Sequence, residues 1–533
     1  MNKLLFLIAF TAISISTFSQ YTPANTKNLT LSGTRLDNGK NIPIQKVSLP
    51  GVATSYTVDT SRKMLIAQLR YPKAAEGFYK QSLLIGLNIN NGTVAWSIPL
   101  DDKMVMMQDS IVIILGPNSS TRINTATGQP TWNVGNSFVY VDSKKHVGFG
   151  YSIQNPKLLI GIDLNSGKQI WQRYLAPEVG WKRVFSLNDS TVILNTTGLH
   201  SINLYTGAGW NYDGSSVDST QQTRVAQNLY IMGINTDYWD NPNVLAYYNP
   251  DWSIWDIQSN VIANNGMIYF ADKNEIACIN DLGKVVWKES IPEQYRTKSS
   301  IFIAKNVVFM VGTGYAYQGI NPSTTIPYGD FFLSAFNAKT GQQYYFSTPP
   351  KASPQVVDFK VINDNILILF KNQITEFTLT NGSEVKSQQF KRSQTGDFLQ
   401  FLSGIAFVIN SNGEMSKPNS GDLFINTAIG SYMLSPTYDG AVGFLYAPKN
   451  IKAIELNSNF NITNSYSDNQ FFWKTKEFDG FTFYSNGTST IIKNTEDSLT
   501  AKIPIGTSLF VIDKTAYAVV GNEFISIPLT QLK

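Results

Sequence analysis

The sequence of 533 residues contains one cysteine and two histidines. A single cysteine, Cys278, rules out an internal disulfide and any zinc site built on paired thiolates. Cys278 lies in the strand-like run 275–279, so it reads as a small buried hydrophobe rather than a nucleophile. Two isolated histidines, His146 and His200, fall short of the convergent partners that a nucleophilic triad or a metal centre usually needs. His146 follows Lys144 and Lys145 at the start of one strand-like run, and His200 precedes another. Charged residues are also scarce, at 15% against about a quarter in ordinary domains. Lys and Arg are scattered without a basic block and the formal charge is only +4, which argues against nucleic acid as a partner. No apolar run approaches the roughly twenty residues of a membrane-spanning helix. Long windows of helical periodicity are missing as well, which argues against helical repeats.

The amino terminus carries an address. Asn2 and Lys3 form a short basic start, residues 4–13 are apolar, and Thr17 and Ser19 sit three and one positions before a cut ahead of Gln20. This is the pattern of a secretory signal peptide over residues 1–19. No cysteine follows the apolar run, so a lipid anchor at that position is not expected. The mature chain is expected to be exported, to a periplasmic or extracellular destination, without a transmembrane segment.

Aromatic residues, by contrast, make up 13% of the chain, and glycine is plentiful. Four of the ten tryptophans follow a glycine by four residues: GLNINNGTVAW (86–96), RINTATGQPTW (122–132), GIDLNSGKQIW (161–171) and ACINDLGKVVW (277–287). Random placement would give fewer than one such pair. The glycine–aromatic pairs are Gly92 with Trp96, Gly128 with Trp132, Gly167 with Trp171 and Gly283 with Trp287. AFNAKTGQQYY (335–345) adds Gly341 with Tyr345, and SINLYTGAGW (201–210) brings its tryptophan one place early. EFTLTNGSEVK (376–386) keeps the turn without the aromatic, and AYYNPDWSIW (246–255) keeps the aromatic without the glycine. Fainter copies are RLDNGKNIP (35–43), FINTAIGSYML (424–434), IELNSNFNIT (454–463) and IIKNTEDSLT (491–500). Intervals between the first clear glycines are 36, 39 and 40 residues, a repeat period that decides fold class.

Each copy makes sense as a β-hairpin tip. The Asn or Asp four residues before the glycine accepts backbone hydrogen bonds and starts the turn. The glycine takes a positive φ at no steric cost, and the tryptophan lies on the returning strand, covering an inter-sheet surface. Two further strand-like runs precede each hairpin, as in 103–107 with 110–115 and 183–187 with 191–195. Four short antiparallel strands per period make a β-propeller blade, so the fold class is all-β. Twelve copies, counted generously, exceed the usual four to eight blades. Two consecutive propellers are therefore expected, over 20–292 and 293–533, with a boundary between 258 and 295. The rival is one eight-bladed ring with enlarged loops. The last strands, 508–512, 516–520 and 524–527, are expected to complete a blade with an amino-terminal strand near 29–36.

The pattern Ala/Gly-x-Asp/Asn-x-x-Thr/Ser/Asn-Gly-x-x-x-Trp resembles the tryptophan-docking repeat of the quinoprotein-like propellers. The resemblance spans nearly the whole mature chain and is sharp in five or six copies. That family includes pyrroloquinoline-quinone (PQQ) alcohol dehydrogenases and an outer-membrane assembly scaffold of the BamB type. The quinone enzymes carry adjacent cysteines over the cofactor, a calcium site and a catalytic aspartate. A lone Cys278 cannot supply the pair, there is no Cys-x-x-Cys-His run for haem, and no Asp-x-Asp-x-Asp-Gly loop for calcium. No cofactor is expected, and the resemblance implies a scaffold rather than a dehydrogenase.

Function in repeat folds tends to sit on irregular loops. The segment 234–252 departs furthest from the repeat, placing Asp237, Tyr238, Trp239 and Asp240 ahead of Tyr247, Tyr248 and Trp252. A second insertion, 313–330, carries Tyr315, Tyr317 and Tyr328 and stretches the Gly283–Gly341 interval to 58 residues. Aromatic faces beside amides and acids suit a protein or a glycan. The expected function is an exported, non-catalytic binding or scaffolding propeller that recognises its partner through these residues on one face. The alternatives are a carbohydrate-active enzyme or sugar-binding protein using the same acids and aromatics, and a degenerate quinone enzyme. Asp101 and Asp102 are further acids, but spacing alone cannot bring two carboxyls across a cleft.

Overall fold

A computed structural model describes residues 28–35, 41–70, 82–100, 103–155, 157–175, 183–195, 198–213, 254–255, 259–318, 325–348, 356–362, 364–370, 373–389, 443–444, 453–456, 462–466 and, with short breaks, 473–532. The signal peptide over 1–19 and residues Asp237, Tyr238, Trp239 and Asp240 lie outside the described residues. Among those described, strands account for nearly all regular structure, with two single-turn 3₁₀ segments at Glu293–Tyr295 and Leu529–Leu532.

The strands assemble into antiparallel four-stranded blades, as the repeat predicts. Blade 1 holds Val52–Asp59, Met64–Arg70, Ser82–Asn88 and Thr93–Pro99. Blade 2 runs from Met104–Gln108 to Pro130–Val134, and blade 3 from Asn136–Asp142 to Gln169–Tyr174. Blade 4 runs from Arg183–Ser186 to Asn211–Tyr212, and blade 5 from Ile262–Asn264 to Val285–Ser290. Blade 6 begins at Ser299–Ala304 and ends at Gln343–Ser347, and blade 7 spans Val356–Ile362 to Glu384–Gln389. Blade 8 contains Trp473–Phe478 through Thr500–Ile503. Blade 9 is built from Phe510–Ile512, Thr515–Val520, Glu523–Pro528 and the distant strand Asn41–Ser48. Four short strands add to this plan: Gly443–Phe444 pairs with Ser55 and Tyr56 of blade 1, Ile254–Trp255 pairs within blade 6, and Ala453–Leu456 with Ile462–Tyr466 form a separate two-stranded sheet.

Side chains alternate along each strand, so every blade feeds two interfaces. In the second strand of blade 1, Leu65 and Ala67 pack toward blade 9, while Met64 and Ile66 join Met107, Val112 and Ile114 of blade 2. The same sharing links blades 3 and 4 through Phe149, Trp171, Val192 and Leu194. It links blades 5 and 6 through Ile276, Trp287, Val308 and Phe336, on either side of residue 292. Faces of neighbouring blades thus form the core, which fits a propeller stabilised without disulfides.

The repeat motif supplies the cement. Trp96 Nε1 donates to the Thr125 carbonyl at 2.7 Å, Trp132 to Leu164 at 2.8 Å and Trp171 to Leu204 at 2.7 Å. Trp210 reaches Asp281 at 2.8 Å and Trp287 reaches Ala338 at 3.0 Å, while the Tyr345 hydroxyl donates to Leu379 at 3.2 Å. Every one of these bonds crosses to the next blade. The indole also lies on the next blade's turn glycine: a Cβ on Gly128, Gly167, Gly207, Gly283 or Gly341 would sit 2.5–2.8 Å from it. The glycines have φ between +70° and +79°, so both backbone and neighbour demand the missing side chain.

The rest of the motif has equally local causes. Asn124 Oδ1 accepts the Ala126 amide, and Asn203 Oδ1 accepts those of Tyr205 and Thr206, so the Asx side chain caps the turn. The small residue that begins the motif lies directly across from the aromatic, Gly86 from Trp96 and Gly161 from Trp171. A Cβ at either glycine would come within 2.1 Å of the ring. In blade 5 this place belongs to Cys278, opposite Trp287. Burial pushes its thiol up to about 11, partly offset by a hydrogen bond with Tyr269, which leaves it unreactive at neutral pH. The residue just before the aromatic is bulged out of the ladder in five blades, at Ala95, Thr131, Ile170, Val286 and Tyr344, and Val385 is bulged at the same place before Lys386 in blade 7. A bulge on the outermost strand bends it and spoils it as a template for edge-to-edge pairing.

Two sequence expectations are corrected in detail. The amino-terminal strand that completes the last blade is Asn41–Ser48, paired with Glu523–Pro528, rather than one near 29–36. Strand Asn28–Arg35 folds back on it as the other arm of a hairpin. The copy at 246–255 ends not in a blade of its own but in Ile254–Trp255, which joins blade 6.

Candidate functional site

Antiparallel connectivity sorts the connections of each blade onto two faces. Turns between strands one and two, and between three and four, lie on one face. Connections between strands two and three, and from one blade to the next, lie on the other. The first face is occupied by the tight Asx-glycine turns. The second is where the chain departs from its own repeat.

Blade 6 breaks the pattern most. Its second and third strands, Val307–Gln318 and Thr325–Asn337, are 12 and 13 residues long, against 4–7 for the corresponding strands of blades 1–5. Beyond Gly312, which pairs with Ser299, the two continue together as a β-hairpin arm through Tyr315↔Pro327, Ala316↔Ile326 and Tyr317↔Thr325. No residue from 307 to 329 carries a charge. The register shifts between Thr313 and Tyr315, with Gly314 at φ +72° and Gly329 at φ +64° on the two sides of the arm. A bulge flanked by left-handed glycines turns the arm out of the blade's own direction.

The root of the arm is bolted to the segment that leads into the innermost strand. The Tyr315 carbonyl accepts both the Lys298 amide at 3.1 Å and the Thr297 hydroxyl at 3.0 Å. The Lys298 carbonyl in turn accepts the Thr313 amide and hydroxyl at 2.8 and 2.7 Å. Gly329 lies so close to Arg296 that a Cβ would stand 2.7 Å from the Arg296 carbonyl oxygen. Beneath the arm, Tyr295 packs on Phe332 and Phe346, with ring centroids 5.9 and 5.0 Å away. Four hydrogen bonds and an aromatic cluster at one root give a recognition element a fixed direction before it meets a partner.

The short strand Ile254–Trp255, which follows the insertion 234–252 in sequence, lies along the edge of the arm. Trp255, where the chain returns from the segment containing Asp237, Tyr238, Trp239 and Asp240, pairs with Tyr317, and Ile254 pairs with Gln318. Of the three tyrosines anticipated on the arm, Tyr315 is 8% exposed and serves the root. Tyr328 is half-buried, with Lys273 Nζ 5.8 Å from its ring centroid, a cation–π contact that ties the arm to blade 5. Lys273 carried no signal in the sequence, because its role depends on a connection in the neighbouring blade. Behind it, Asp272 Oδ1 accepts the amides of Asn274 and Glu275 and so shapes the connection that presents Lys273.

Asp59, Asp142, His200 and His146 sit within the blades rather than at the arm. Burial raises Asp59, but hydrogen bonds from Ser61, Thr125 and Arg62 overcome it and hold the carboxyl below its usual range. Asp142 is lowered in the same way by Lys145 and Tyr140 against the cost of burial. His200 is buried with Nδ1 3.0 Å from Asn211 Oδ1, and His146 occupies a turn of blade 3 at φ +54°. Among the described residues, no group of three His, Cys, Asp or Glu side chains could hold a metal ion. No helix among them is long and apolar enough to cross a membrane.

The chain is thus an all-β propeller in its fold, with blades docked by the tryptophan repeat. No protein-family model matches the sequence, and no curated protein does. Solved structures of like fold include BamB from Moraxella catarrhalis, 14% identical over 64% of this chain and 91% of that one, with a TM-score of 0.32. The quinohemoprotein alcohol dehydrogenase ADHIIG from Pseudomonas putida HK5 is 11% identical over 64% of this chain and 68% of its own, at 0.29. The C-terminal WD40 domain of Sif2 is 9% identical over 65% and 88%, at 0.32.

Proposed function

We propose that this chain is an exported, non-catalytic propeller that binds a protein partner, with the arm of blade 6 as its recognition element. The observation that supports this reading is the long, uncharged and firmly rooted hairpin of blade 6, with Ile254–Trp255 paired along its edge. Residues 1–19 support export. On this reading Tyr317, Tyr328 and Trp255 meet the partner, together with Asp237, Tyr238, Trp239 and Asp240 of the preceding insertion. Tyr315 orients the arm from beneath. The blades act as a rigid support, and no resident cofactor takes part.

A photo-crosslinking residue placed at Tyr317 tests the reading, with a second at Lys339 in an Asx-glycine turn of the opposite face. The same protein should be captured from Tyr317 and not from Lys339. Combined Tyr328→Ala and Trp255→Ala changes should reduce that capture at least tenfold while the unfolding midpoint stays within a few degrees. Equal capture from both faces would remove the arm from the proposal. Binding to a glycan panel that the same two changes abolish would replace the protein partner with a sugar.

A further inference from the structure

The two ends of the chain meet in one nine-stranded sheet. Its order is Trp473–Phe478, Phe481–Ser485, Thr490–Asn494, Thr500–Ile503, Asn28–Arg35, Asn41–Ser48, Glu523–Pro528, Thr515–Val520, Phe510–Ile512. An amino-terminal hairpin therefore joins the outer edges of blades 8 and 9. Its first strand meets blade 8 through Thr34↔Lys502 and Arg35↔Ala501, and its second meets blade 9 through four pairs from Gln45↔Ser526 to Ser48↔Glu523.

This hairpin also supplies packing. Ile44 is fully buried in a core formed with Phe481, Phe483, Ile492 and Ala501 of blade 8 and Ala516 and Ile527 of blade 9. Val47 reaches the turn of blade 1, its Cγ2 2.5 Å from where a Cβ on Gly92 would be. That is the place an indole takes on Gly128, Gly167, Gly207, Gly283 and Gly341. Blade 9 thus docks on blade 1 with a valine, which buries far less area than tryptophan and has no donor for a carbonyl. The link onward is short. Leu49 and Ala53 donate their amides to the carbonyls of Asn522 and Gly521, both at 2.7 Å, and blade 1 begins at Val52 with all four strands its own.

We propose that residues 28–48 are a detachable clasp, so that blades 8 and 9 open together with this hairpin as one unit while blades 1–7 stay folded. At its turn contact the seam with blade 1 has a smaller docking side chain than the rings at Gly128, Gly167, Gly207, Gly283, Gly341 and Gly382, although the two blades also share an apolar core. Its strands come from opposite ends of the chain, which increases the entropy recovered on opening. Blade 1 loses no strand of its own when the clasp leaves. The proposal is independent of what the arm of blade 6 binds.

Native-state hydrogen exchange on the full chain at increasing sub-denaturing guanidinium tests it. Amides of 41–48 and of 473–528 should merge into one opening step, at least tenfold more frequent than the step that exposes Met64–Arg70 and Leu158–Asp163. A full-length variant with Gln45→Cys and Ser526→Cys, which joins direct cross-strand partners, should lose that step when oxidised and regain it when reduced. Opening of 473–528 without 41–48, or only together with blades 1–7, would overturn the proposal. Should the double variant fail to fold, the order of opening in the unmodified chain still decides between these outcomes.

Discussion

The indole of Trp171 lies on Gly207 of the following blade, and its Nε1 donates to the Leu204 carbonyl three residues before that glycine. The glycine four residues ahead of a tryptophan therefore does not serve that tryptophan. Gly167, ahead of Trp171, is the floor for Trp132 of the preceding blade. One motif carries both halves of a contact that always closes with the neighbouring copy, so the repeat persists only as a series.

This double use predicts unequal costs at glycines with the same backbone. Gly207 has φ +71° and a Cβ there would lie 2.5 Å from Trp171, whereas Gly266 has φ +74° and nothing within 4 Å. Gly266→Ala should cost about 1–2 kcal/mol of left-handed strain. Gly207→Ala should add a further 1–3 kcal/mol or so of overpacking. Chemical denaturation of the two variants measures the difference. Equal losses would mean that the indole yields freely.

The docking bonds differ in what remains when the indole goes. Leu204 accepts from Trp171, whereas the Ala338 carbonyl accepts from both Trp287 and the Tyr269 hydroxyl, at 3.0 and 3.1 Å. Trp→Phe at 171 removes the indole donor to Leu204, and at 287 leaves Ala338 still bonded to Tyr269. An unpaired buried carbonyl costs roughly 1–3 kcal/mol. Trp171→Phe should therefore be the more destabilising change by on the order of 1 kcal/mol, and a Tyr269→Phe background should abolish the advantage of position 287.

Asp59 makes one interface sensitive to acid. Its carboxylate takes hydrogen bonds from Ser61, Arg62 and Thr125, and Thr125 also offers its carbonyl to Trp96. The folded value lies below the unfolded one of about 3.9, so this group's contribution is complete above that pH and is lost as pH falls through the folded value. Asp59→Asn should lower stability at pH 7 by about 1–3 kcal/mol, since charged hydrogen bonds are among the stronger ones. The gap between the two proteins should narrow below about pH 4. A constant gap down to pH 2 would show that Asp59 acts through geometry and not through charge.

The fold was legible because its cement is local in sequence: an Asx cap, a left-handed glycine and an aromatic fall within nine residues of one another. The partner of each aromatic was not legible, since Leu204 and Ala338 offer backbone carbonyls that any residue could provide. The closing strand is one hairpin arm further along than the sequence suggests, because strand character near 29–36 does not say which edge it meets: Asn28–Arg35 pairs with blade 8, and Asn41–Ser48 with blade 9. At the candidate site, composition exposed the arm but not its orientation. Tyr315 and Tyr328 look alike as letters, yet one is buried at the root of the arm and the other lies against Lys273 of blade 5.

A division into two rings at residue 292 would cut between blades 5 and 6. That cut severs the Trp287–Ala338 bond, the packing of Trp287 on Phe336 at 6.2 Å and a core shared by Ile276, Ile291, Ile301 and Val308. It also separates Asn41–Ser48 from the blade that it completes. We expect residues 20–292 and 293–533, produced separately, to aggregate or remain partly unfolded, because each would expose a blade face and lose a strand pairing. Co-production should restore a noncovalent complex with the far-ultraviolet circular dichroism of the intact chain. Two independently folded, monomeric halves with cooperative thermal transitions would instead establish the two-ring division, with the docking of blade 5 on blade 6 as a contact between domains.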